Sequence, residues 1–327
     1  MKEYLGLLIS GKSLSQKEAY EAVLKIGSGE VNPSQIAGFL VAIQQKGITT
    51  AELIGFREAM LSLALPLDFE EFDAIDVCGT GGDGKDTFNI STTSAFVVAG
   101  AGQKVAKHGN HGVSSAVGSS TVLEYLGVKF TNDADYLKKK ISEAGICYLH
   151  APLFHPAMRF VGPIRKELGI RTFFNILGPL LNPAKVKKQL TGVSDLKTFE
   201  IFEALFNQSE TKFGVVHSLD IYDEVSLTSD FKFATKNSNK IVSPADLGFQ
   251  QCQQIELHGG GSLEESAEIV KLVLANKGTV AQTSAVLANA GLALSIANDI
   301  SEVDGILMAK ESLESGRALN SLKKLVE

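Results

Sequence analysis

The sequence lacks the features that mark secreted, membrane-spanning and disulfide-stabilised proteins. It has only three cysteines, Cys78, Cys147 and Cys252. They lie far apart without Cys-x-x-Cys spacing, which argues against a disulfide framework or a cysteine zinc site. The N-terminal segment has too short an apolar stretch for a signal peptide, and no run of about 18 apolar residues appears. We therefore expect a soluble protein of the reducing cytoplasm that has no membrane partner.

A basic net charge is also lacking. The formal net charge of −6 at pH 7 gives no overall attraction to nucleic acid, so no nucleic-acid partner is expected and any polyanion must be bound by local groups. The composition is that of an ordinary globular protein, with 44% hydrophobic and 21% charged residues. The length of 327 residues suits one large α/β unit, or a main domain with a smaller companion.

The first 68 residues carry the signals of helices. Ser15 with Glu18, and Thr49 with Glu52, fit capping boxes, in which each side chain accepts a hydrogen bond from the other residue's backbone N–H. Asn32 followed by proline fits a helix start as well. The acidic stretch at 68–73 is expected to end this helical region.

Beyond residue 73, short β-prone runs alternate with helical segments. The predicted strands are 74–78, 104–106, 146–149 and 213–216, and the clearest helices are 93–101 and 134–144. This alternation predicts an α/β fold with a mainly parallel sheet covered by helices. The segment 226–240 alternates like an antiparallel hairpin, and three further helices are expected to start near Ser262, Thr279 and Ser301.

A glycine-rich turn, Gly79 to Gly84, follows the first predicted strand. Glycine allows positive φ angles and brings backbone N–H groups close to a ligand, as in phosphate-binding turns. The turn is not a Walker loop and matches the dinucleotide pattern only in part, and a tight strand-to-helix turn explains the glycines equally well. The polar group Asn89, Ser91 and Thr92 at the next helix start favours phosphate, because N-capping accounts for one of these residues and not for all.

A second polar loop, 107–115, follows the next predicted strand. It offers the cation of Lys107, the imidazoles of His108 and His111, the amide of Asn110 and several hydroxyl groups. Loops at the carboxyl ends of neighbouring parallel strands converge on one crevice. The two loops together therefore predict a ligand with two phosphate positions.

Two further features fit such a ligand. Asp223 and Glu224 lie in a loop after the strand 213–216, where carboxylates suit Mg²⁺ that bridges to substrate oxygens. Arg165, on a helix opened by Pro156, offers a carboxylate a bidentate fork. Each feature also has an ordinary explanation, a solvated turn for the acidic pair and a surface ion pair for the arginine. His150, His217 and His258 have no ligand-like spacing and are expected to be structural.

In this order, the motifs resemble those of the anthranilate phosphoribosyltransferases. The matching segments extend over the middle half of the chain and are CGTGGDG at 78–84, NIST at 89–92, KHGN at 107–110, VSS at 113–115, MRFVGPIRKELGIRTFFNILGPLLNP at 158–183 and DEVSL at 223–227. The resemblance implies an enzyme that transfers the phosphoribosyl group of 5-phosphoribosyl-1-diphosphate (PRPP) to the amine of anthranilate. Pyrophosphate is released in this Mg²⁺-dependent step of tryptophan biosynthesis.

The resemblance also implies a set of site residues. For PRPP they are Gly79, Gly82, Asp83, Thr87, Asn89, Ile90, Ser91, Thr92, Lys107, His108, Gly109, Asn110, His111, Ser114, Ser115 and Ser119. For anthranilate they are Gly79, Asn110 and Arg165, and for the metal they are Ser91, Asp223 and Glu224. The implied architecture is a small helical domain of 1–68 and about 165–185, an α/β domain of 69–164 and 186–327, and a homodimer formed through the helical part.

One position departs from the family pattern, in which arginine usually follows KHGN. His111 stands there instead, so a permanent cation near the phosphates is replaced by an imidazole. Because an aromatic amine already carries a usable lone pair, we expect catalysis by positioning and electrostatics, with Lys107 and His108 contributing charge and no dedicated catalytic base. Two alternatives are a pyrimidine nucleoside phosphorylase and a non-catalytic relative that binds nucleic acid. The second alternative would be expected to show a basic groove and degraded phosphate motifs, and neither is evident in the sequence.

Overall fold

The structure is a computed structural model and describes residues 1–112 and 117–327. The chain forms two compact units. The first consists of Met1–Leu67 and Ala151–Pro183, and the second of Asp68–His150 and Ala184–Glu327. Within the described residues, every regular element of the first unit is a helix, whereas the second unit combines helices with a seven-stranded sheet. The predicted fold class, a helical domain with a larger α/β domain, is confirmed.

The elements are numbered here in chain order. The helices are α1 Lys2–Ile9, α2 Gln16–Gly27, α3 Pro33–Lys46, α4 Thr50–Ser62, α5 Ile90–Gly100, α6 Ser119–Tyr125, α7 Ala134–Ala144, α8 Ala151–Phe154, α9 Met158–Leu168, α10 Phe174–Leu177, α11 Leu196–Asn207, α12 Leu263–Leu274, α13 Val280–Asn298, α14 Glu302–Glu314 and α15 Arg317–Val326. The strands are β1 Ile75–Gly79, β2 Val105–Gly109, β3 Ile146–His150, β4 Lys188–Gly192, β5 Lys212–Ser218, β6 Phe231–Thr235 and β7 Ser238–Val242.

Local capping chemistry fixes the helix starts of the first unit. Ser15 and Glu18 form the predicted capping box at α2, and Thr49 and Glu52 form the one at α4. The side chain of Asn32 accepts a hydrogen bond at the start of α3. Caps of this kind each contribute about 1 kcal/mol, because they satisfy backbone donors that have no partner inside the helix.

The second segment of the first unit begins at Ala151, earlier than the boundary near 165 that the family resemblance implies. The early start has a packing cause. Leu65 N donates to Phe154 O at 2.8 Å, and a β-carbon at Gly29 would lie 2.8 Å from the ring of Phe160. The segment Ala151–Pro183 is therefore part of the helical unit.

The sheet of the second unit has the order β3-β2-β1-β4-β5-β6-β7. The first five strands in this order run parallel, and β6 and β7 are antiparallel. The prediction of a mainly parallel sheet is confirmed. Because β2 and β4 lie on opposite sides of β1, the carboxyl end of β1 is the kind of position where open α/β sheets bind ligands.

Helix α13 lies in the core of this unit against α5, α14, β4 and β5. It is the one described helix that is long and apolar enough to cross a membrane by length and composition, but 78% of its apolar window is buried inside the protein. Its approach to α14 is close, since a β-carbon at Gly305 would lie 2.2 Å from Gly291 O. Helix α13 therefore serves as a core helix of this unit.

Two details of the sequence prediction need correction. The predicted hairpin 226–240 begins only at Phe231, because Thr228 and Ser229 donate their hydroxyl groups to Asp220 at 2.6 and 2.7 Å and form a loop. Strand β4 was not predicted, since Lys188 gives it a polar start. In the structure that lysine is buried and reaches Asp73 Oδ2 at 2.5 Å.

Candidate active site

The glycine turn leaves the carboxyl end of β1. Gly81, Gly82 and Gly84 have φ angles of 70°, 81° and 70°, which side-chain-bearing residues rarely adopt. Asp83 accepts a hydrogen bond from Lys85 N at 3.1 Å inside the same turn. The turn therefore needs its glycines for conformation, which agrees with both explanations that the sequence left open.

Gly79 has to be a glycine for another reason, which is the close approach of Asp223. Gly79 and Gly192 are register partners at the ends of β1 and β4, and the chain at Asp223 lies against both. A β-carbon at Gly79 would lie 2.1 Å from Asp223 Oδ2, and one at Gly192 would lie 1.6 Å from Asp223 O. We call this space the glycine notch. The carboxylate within it accepts a hydrogen bond from Gly81 N at 2.6 Å, so the notch fastens the acidic pair to the glycine turn.

Glu224 connects the acidic pair to the start of α5. Its Oε1 accepts a hydrogen bond from Ser91 N at 3.2 Å, whereas its buried Oε2 has no hydrogen-bond partner among the described residues. Lys107 is 2% exposed, donates to Val77 O at 2.6 Å and lies 3.5 Å from Ser91 Oγ. The structure thus brings together the predicted residues Ser91, Lys107 and Glu224.

The electrostatics of this cluster call for a cation. Burial raises the pKa of Asp223 well above its usual range, and the charges of Asp83 and Glu224 raise it further. Burial also raises the pKa of Glu224 to about 7, even though Lys107 and the hydrogen bonds from Ser91 lower it. Carboxylates that are buried together resist ionisation unless positive charge joins them.

The residues fit Mg²⁺ that is shared with a substrate better than a metal held by protein alone. In residues 1–112 and 117–327, no group of three or more His, Cys, Asp or Glu side chains is arranged to hold a metal. Mg²⁺ commonly uses one or two carboxylates and takes its other ligands from water and phosphate. The carboxylate of Asp223 and the Oε2 of Glu224, which has no hydrogen-bond partner within the described part of the chain, agree with such a site.

The N-terminal end of α5 carries further unused polar atoms. Asn89 is its N-cap residue, and Asn89 Nδ2 donates to Val117 O at 3.0 Å. Within the described chain, Asn89 Oδ1 and Thr92 Oγ1 are buried without a hydrogen-bond partner. Ile90 is fully buried in the core, and its backbone N–H donates to Phe88 O at 2.6 Å. Thr87 pairs with His258 in an isolated β-bridge.

The second predicted loop begins at the end of β2. His108 is 6% exposed, and its backbone N–H donates to Asp76 at 3.2 Å. Asn110 O accepts hydrogen bonds from Ser119 Oγ at 3.1 Å and from Ser120 N at 3.2 Å, which ties the loop to the start of α6. A β-carbon at Gly109 would lie 2.6 Å from Ser119 Oγ. This contact leaves no room for a side chain at that position.

His111 and the two remaining serines complete the list for this loop. His111 is exposed, and its Nδ1 lies 3.2 Å from Thr121 Oγ1. Its ring meets that of His150 edge to face, with centroids 5.0 Å apart. Ser114 and Ser115 lie outside the described residues.

Arg165 belongs to the first unit, on α9, whereas Gly79 and Asn110 belong to the second. Its Nη2 donates to Asn175 Oδ1 at 3.3 Å, and its guanidinium lies over the ring of Phe174 at 5.4 Å. Arg165 Nε is buried without a hydrogen-bond partner among the described residues. Burial lowers the pKa of this group, yet an arginine remains charged. Arg165 is thus a held cation with an unused donor rather than a solvated surface residue.

The structure also shows residues that sequence reasoning missed. Gly192 forms half of the glycine notch, and Tyr148 contacts Ser119 from β3. Neither lies in a motif, and only the strand register brings them to the site. His150 and His217, which were expected to be structural, are buried with a hydrogen bond to a protein group, whereas His258, expected to be structural as well, is exposed.

Comparisons with known proteins agree with this arrangement. Residues 71–319 match the family model described as glycosyl transferase family, a/b domain, and residues 2–64 match the helical bundle domain of the glycosyl transferase family. The anthranilate phosphoribosyltransferase of Christiangramia forsetii is 52% identical over 325 residues, covering 99% of this chain and 98% of the relative. That of Cytophaga hutchinsonii is 52% identical over 328 residues, covering 100% of both chains.

Solved structures give the same result. The crystal structure of the Thermus thermophilus anthranilate phosphoribosyltransferase matches with a TM-score of 0.93 and 35% identity, covering 98% of each chain. The enzyme of Saccharomyces cerevisiae, in complex with PRPP and Mg, matches with a TM-score of 0.91 and 27% identity, covering 99% of this chain and 96% of the other.

Proposed function

Because this chain belongs to the anthranilate phosphoribosyltransferase family, as the ordered motifs predict, we propose how its residues divide that family's reaction among them. The reaction joins the amine of anthranilate to C1 of PRPP and releases pyrophosphate, and it is a step of tryptophan biosynthesis. The observation that supports the assignment of roles is the glycine notch, in which Asp223 lies against the glycine turn.

PRPP binds, in this proposal, to the glycine turn, the start of α5 and the loop after β2. The positive end of the α5 dipole and the hydroxyl of Thr92, which has no hydrogen-bond partner among the described residues, favour an anion there. Lys107 contributes a buried positive charge, which is more effective than an exposed one because less water screens it. The remaining PRPP contacts follow the residues named for this substrate in the sequence, including Ser114 and Ser115, and His111 is where this chain differs.

Ser91, Asp223 and Glu224 would hold Mg²⁺ together with oxygens of PRPP. The fit rests on the raised pKa values of both carboxyl groups and on Oε2 of Glu224, which no described residue contacts by a hydrogen bond. A divalent cation supplies charge stabilisation for the departing pyrophosphate. The chain's own contribution is to hold two carboxylates in place, through Gly81 N and Ser91 N.

In this proposal, Arg165 binds the carboxylate of anthranilate. The guanidinium of Arg165 is fixed by Asn175 and the ring of Phe174, so little rotamer freedom is lost when a carboxylate binds. The amine needs orientation towards C1 more than it needs deprotonation. We therefore assign no catalytic base, and Lys107 and His108 act through charge alone.

A homodimer formed through the helical unit is part of the same proposal. An apolar groove in this unit is lined by Leu8, Ile9, Val41 and Ala42, and Ile9 is 79% exposed. Exposed apolar patches of this kind favour protein association. Light scattering of the wild-type protein and of Ile9→Lys tests the homodimer, and a wild-type monomer would contradict it.

We also place the enzyme in the cytoplasm, since all three cysteines are free.

A direct assay tests the function. Purified protein is mixed with Mg²⁺, PRPP and anthranilate, and the loss of anthranilate fluorescence is followed. We expect loss only when all three are present. A folded protein that leaves the fluorescence unchanged, or that instead cleaves thymidine or uridine in the presence of phosphate, would refute the assignment.

A further inference from the structure

Two side chains of β3 join the site to a buried hydrogen-bond chain. Tyr148 and His150 are two residues apart on this strand, so their side chains point to the same face of the sheet. Tyr148 Oη lies 2.9 Å from Ser119 Oγ and 2.7 Å from Ser120 Oγ. Ser120 Oγ lies 2.8 Å from His150 Nδ1. The four side chains therefore form one line from β3 to the start of α6.

The direction of this chain follows from the number of hydrogens available. A hydroxyl group has one hydrogen to donate, and Ser119 donates its own to Asn110 O at 3.1 Å. Tyr148 must then donate to Ser119, and Ser120 must donate to Tyr148. His150 completes the chain by donating from Nδ1 to Ser120. All four donors consequently point along the line that ends at Asn110 O.

The packing of aromatic rings holds this hydrogen-bond chain in place. Tyr148 is 2% exposed, and Phe130 packs against its ring at 5.2 Å and stacks on His150 at 4.6 Å. A β-carbon at Gly109 would lie 2.4 Å from Tyr148 Oη, so the glycine of the KHGN segment leaves space for the tyrosine hydroxyl. The tyrosine thus lies directly beneath the loop assigned to PRPP.

We propose that Tyr148 is a positioning residue for PRPP, because its hydroxyl donates to Ser119 and so leaves the single hydrogen of Ser119 for an acceptor, which is Asn110 O in this structure and a phosphate oxygen when PRPP is bound. A phosphate oxygen only accepts hydrogen bonds, so a serine that can turn its hydrogen outward is matched to it. His150 and Ser120 fix the orientation of Tyr148 in turn. The inference rests on the proposed assignment of Ser119 and Asn110 to PRPP.

The test removes one oxygen atom, by Tyr148→Phe. Without the donor, Ser119 loses its fixed orientation, and we expect the Kd and KM for PRPP to rise roughly 3- to 10-fold, the effect of one hydrogen bond. The KM for anthranilate and kcat should stay within about twofold. Tyr4→Phe is the matched control, since the Tyr4 hydroxyl donates to Glu21 at 2.7 Å in the first unit. It should leave the PRPP constants unchanged.

A double-mutant cycle separates positioning from general stability. If Tyr148 acts through Ser119, then Tyr148→Phe should have no further effect on PRPP binding once Ser119→Ala is present. Equal losses in both backgrounds would overturn the proposal, as would an unchanged PRPP Kd in folded Tyr148→Phe. If that variant folds poorly, Ser120→Ala replaces it and should weaken PRPP binding in the same direction, and no change there refutes the chain. A wild-type protein inactive with anthranilate would instead refute the proposed function.

Discussion

Replacing Gly192 by alanine tests whether the glycine notch holds the acidic pair in its working position. The new β-carbon would lie 1.6 Å from Asp223 O and 2.5 Å from its carbonyl carbon, whereas real β-carbons essentially never come closer than 3.0 Å. The two groups must therefore move apart by about 1.4 Å or more. A backbone oxygen cannot rotate away as the end of a flexible side chain can, so the loop of Asp223 has to shift.

That shift reaches the glycine turn. The hydrogen bond from Gly81 N to Asp223 is 2.6 Å long, and a displacement of this size takes it beyond hydrogen-bond range. Loss of a hydrogen bond to a charged group corresponds to roughly 10- to 100-fold in binding. We expect Gly192→Ala to raise the Mg²⁺ concentration for half-maximal rate and the KM for PRPP by about that factor, measured by steady-state kinetics across a Mg²⁺ titration.

Gly214→Ala is the control for adding a methyl group to the sheet. Gly214 lies on β5, and its β-carbon would meet Ile296 Cδ1 at 2.4 Å and Phe233 at 2.9 Å, away from the acidic pair. Overpacking of this kind lowers the free energy of unfolding by about 1–3 kcal/mol, and the Mg²⁺ and PRPP constants should not change. If Gly192→Ala also loses only stability and keeps wild-type constants, the role given to the notch is wrong.

Three further outcomes are expected. Arg165→Ala should raise the KM for anthranilate about tenfold or more and spare that for PRPP, because a charged hydrogen bond to the carboxylate is lost; an equal rise in both constants counts against this role. Because the pKa of Glu224 is raised to about 7 from 4.5, its stabilisation of the Mg²⁺-free fold is complete below about pH 4.5 and disappears as the pH rises through 7. Chemical denaturation at pH 5 and pH 8 should show this decrease in the free energy of unfolding, and Glu224→Gln should make the decrease smaller. The affinity of the protein for Mg²⁺ should increase from pH 6 to pH 8. Glu52→Ala should lower the free energy of unfolding by about 3 kcal/mol without changing PRPP binding. The substitution removes a buried carboxylate that accepts hydrogen bonds from Lys46 at 2.8 Å and from three other donors. An unchanged denaturation midpoint would contradict this prediction.

Local chemistry was predictable from the sequence, and long-range contacts were not. The helix starts at Ser15 and Thr49 depend on neighbours three residues away, so the sequence predicts them correctly. Strand β4 escaped prediction because Lys188 reaches Asp73 only after the sheet has formed. The hairpin prediction was right in kind and wrong in its start, since hydroxyl bonds to Asp220 form a loop that a period-two pattern does not reveal.

The same difference between local and long-range information applies to the residues of the candidate site. The motifs identify Gly79 and Asp223 separately, but their contact depends on the register of β1 with β4 and on the loop after β5. Gly192 carries no motif, and its importance appears only from the carbonyl group that lies against it. Tyr148 likewise gives no recognisable signal in the sequence, because a tyrosine in a buried strand is ordinarily explained by packing. Sequence reasoning thus finds the residues of the motifs sooner than the residues that hold them in place.

The division of the chain into units has a consequence for synthesis and for cutting. The polypeptide passes from one unit to the other at 67–68, 150–151 and 183–184. A chain growing from its N-terminus holds every residue of the helical unit once Pro183 has emerged, but the sheet unit lacks β4 and β5 at that stage. A single protease cut at any of these crossings leaves two covalent connections between the units. Moving the helical unit into another protein would require transplanting two separate segments together.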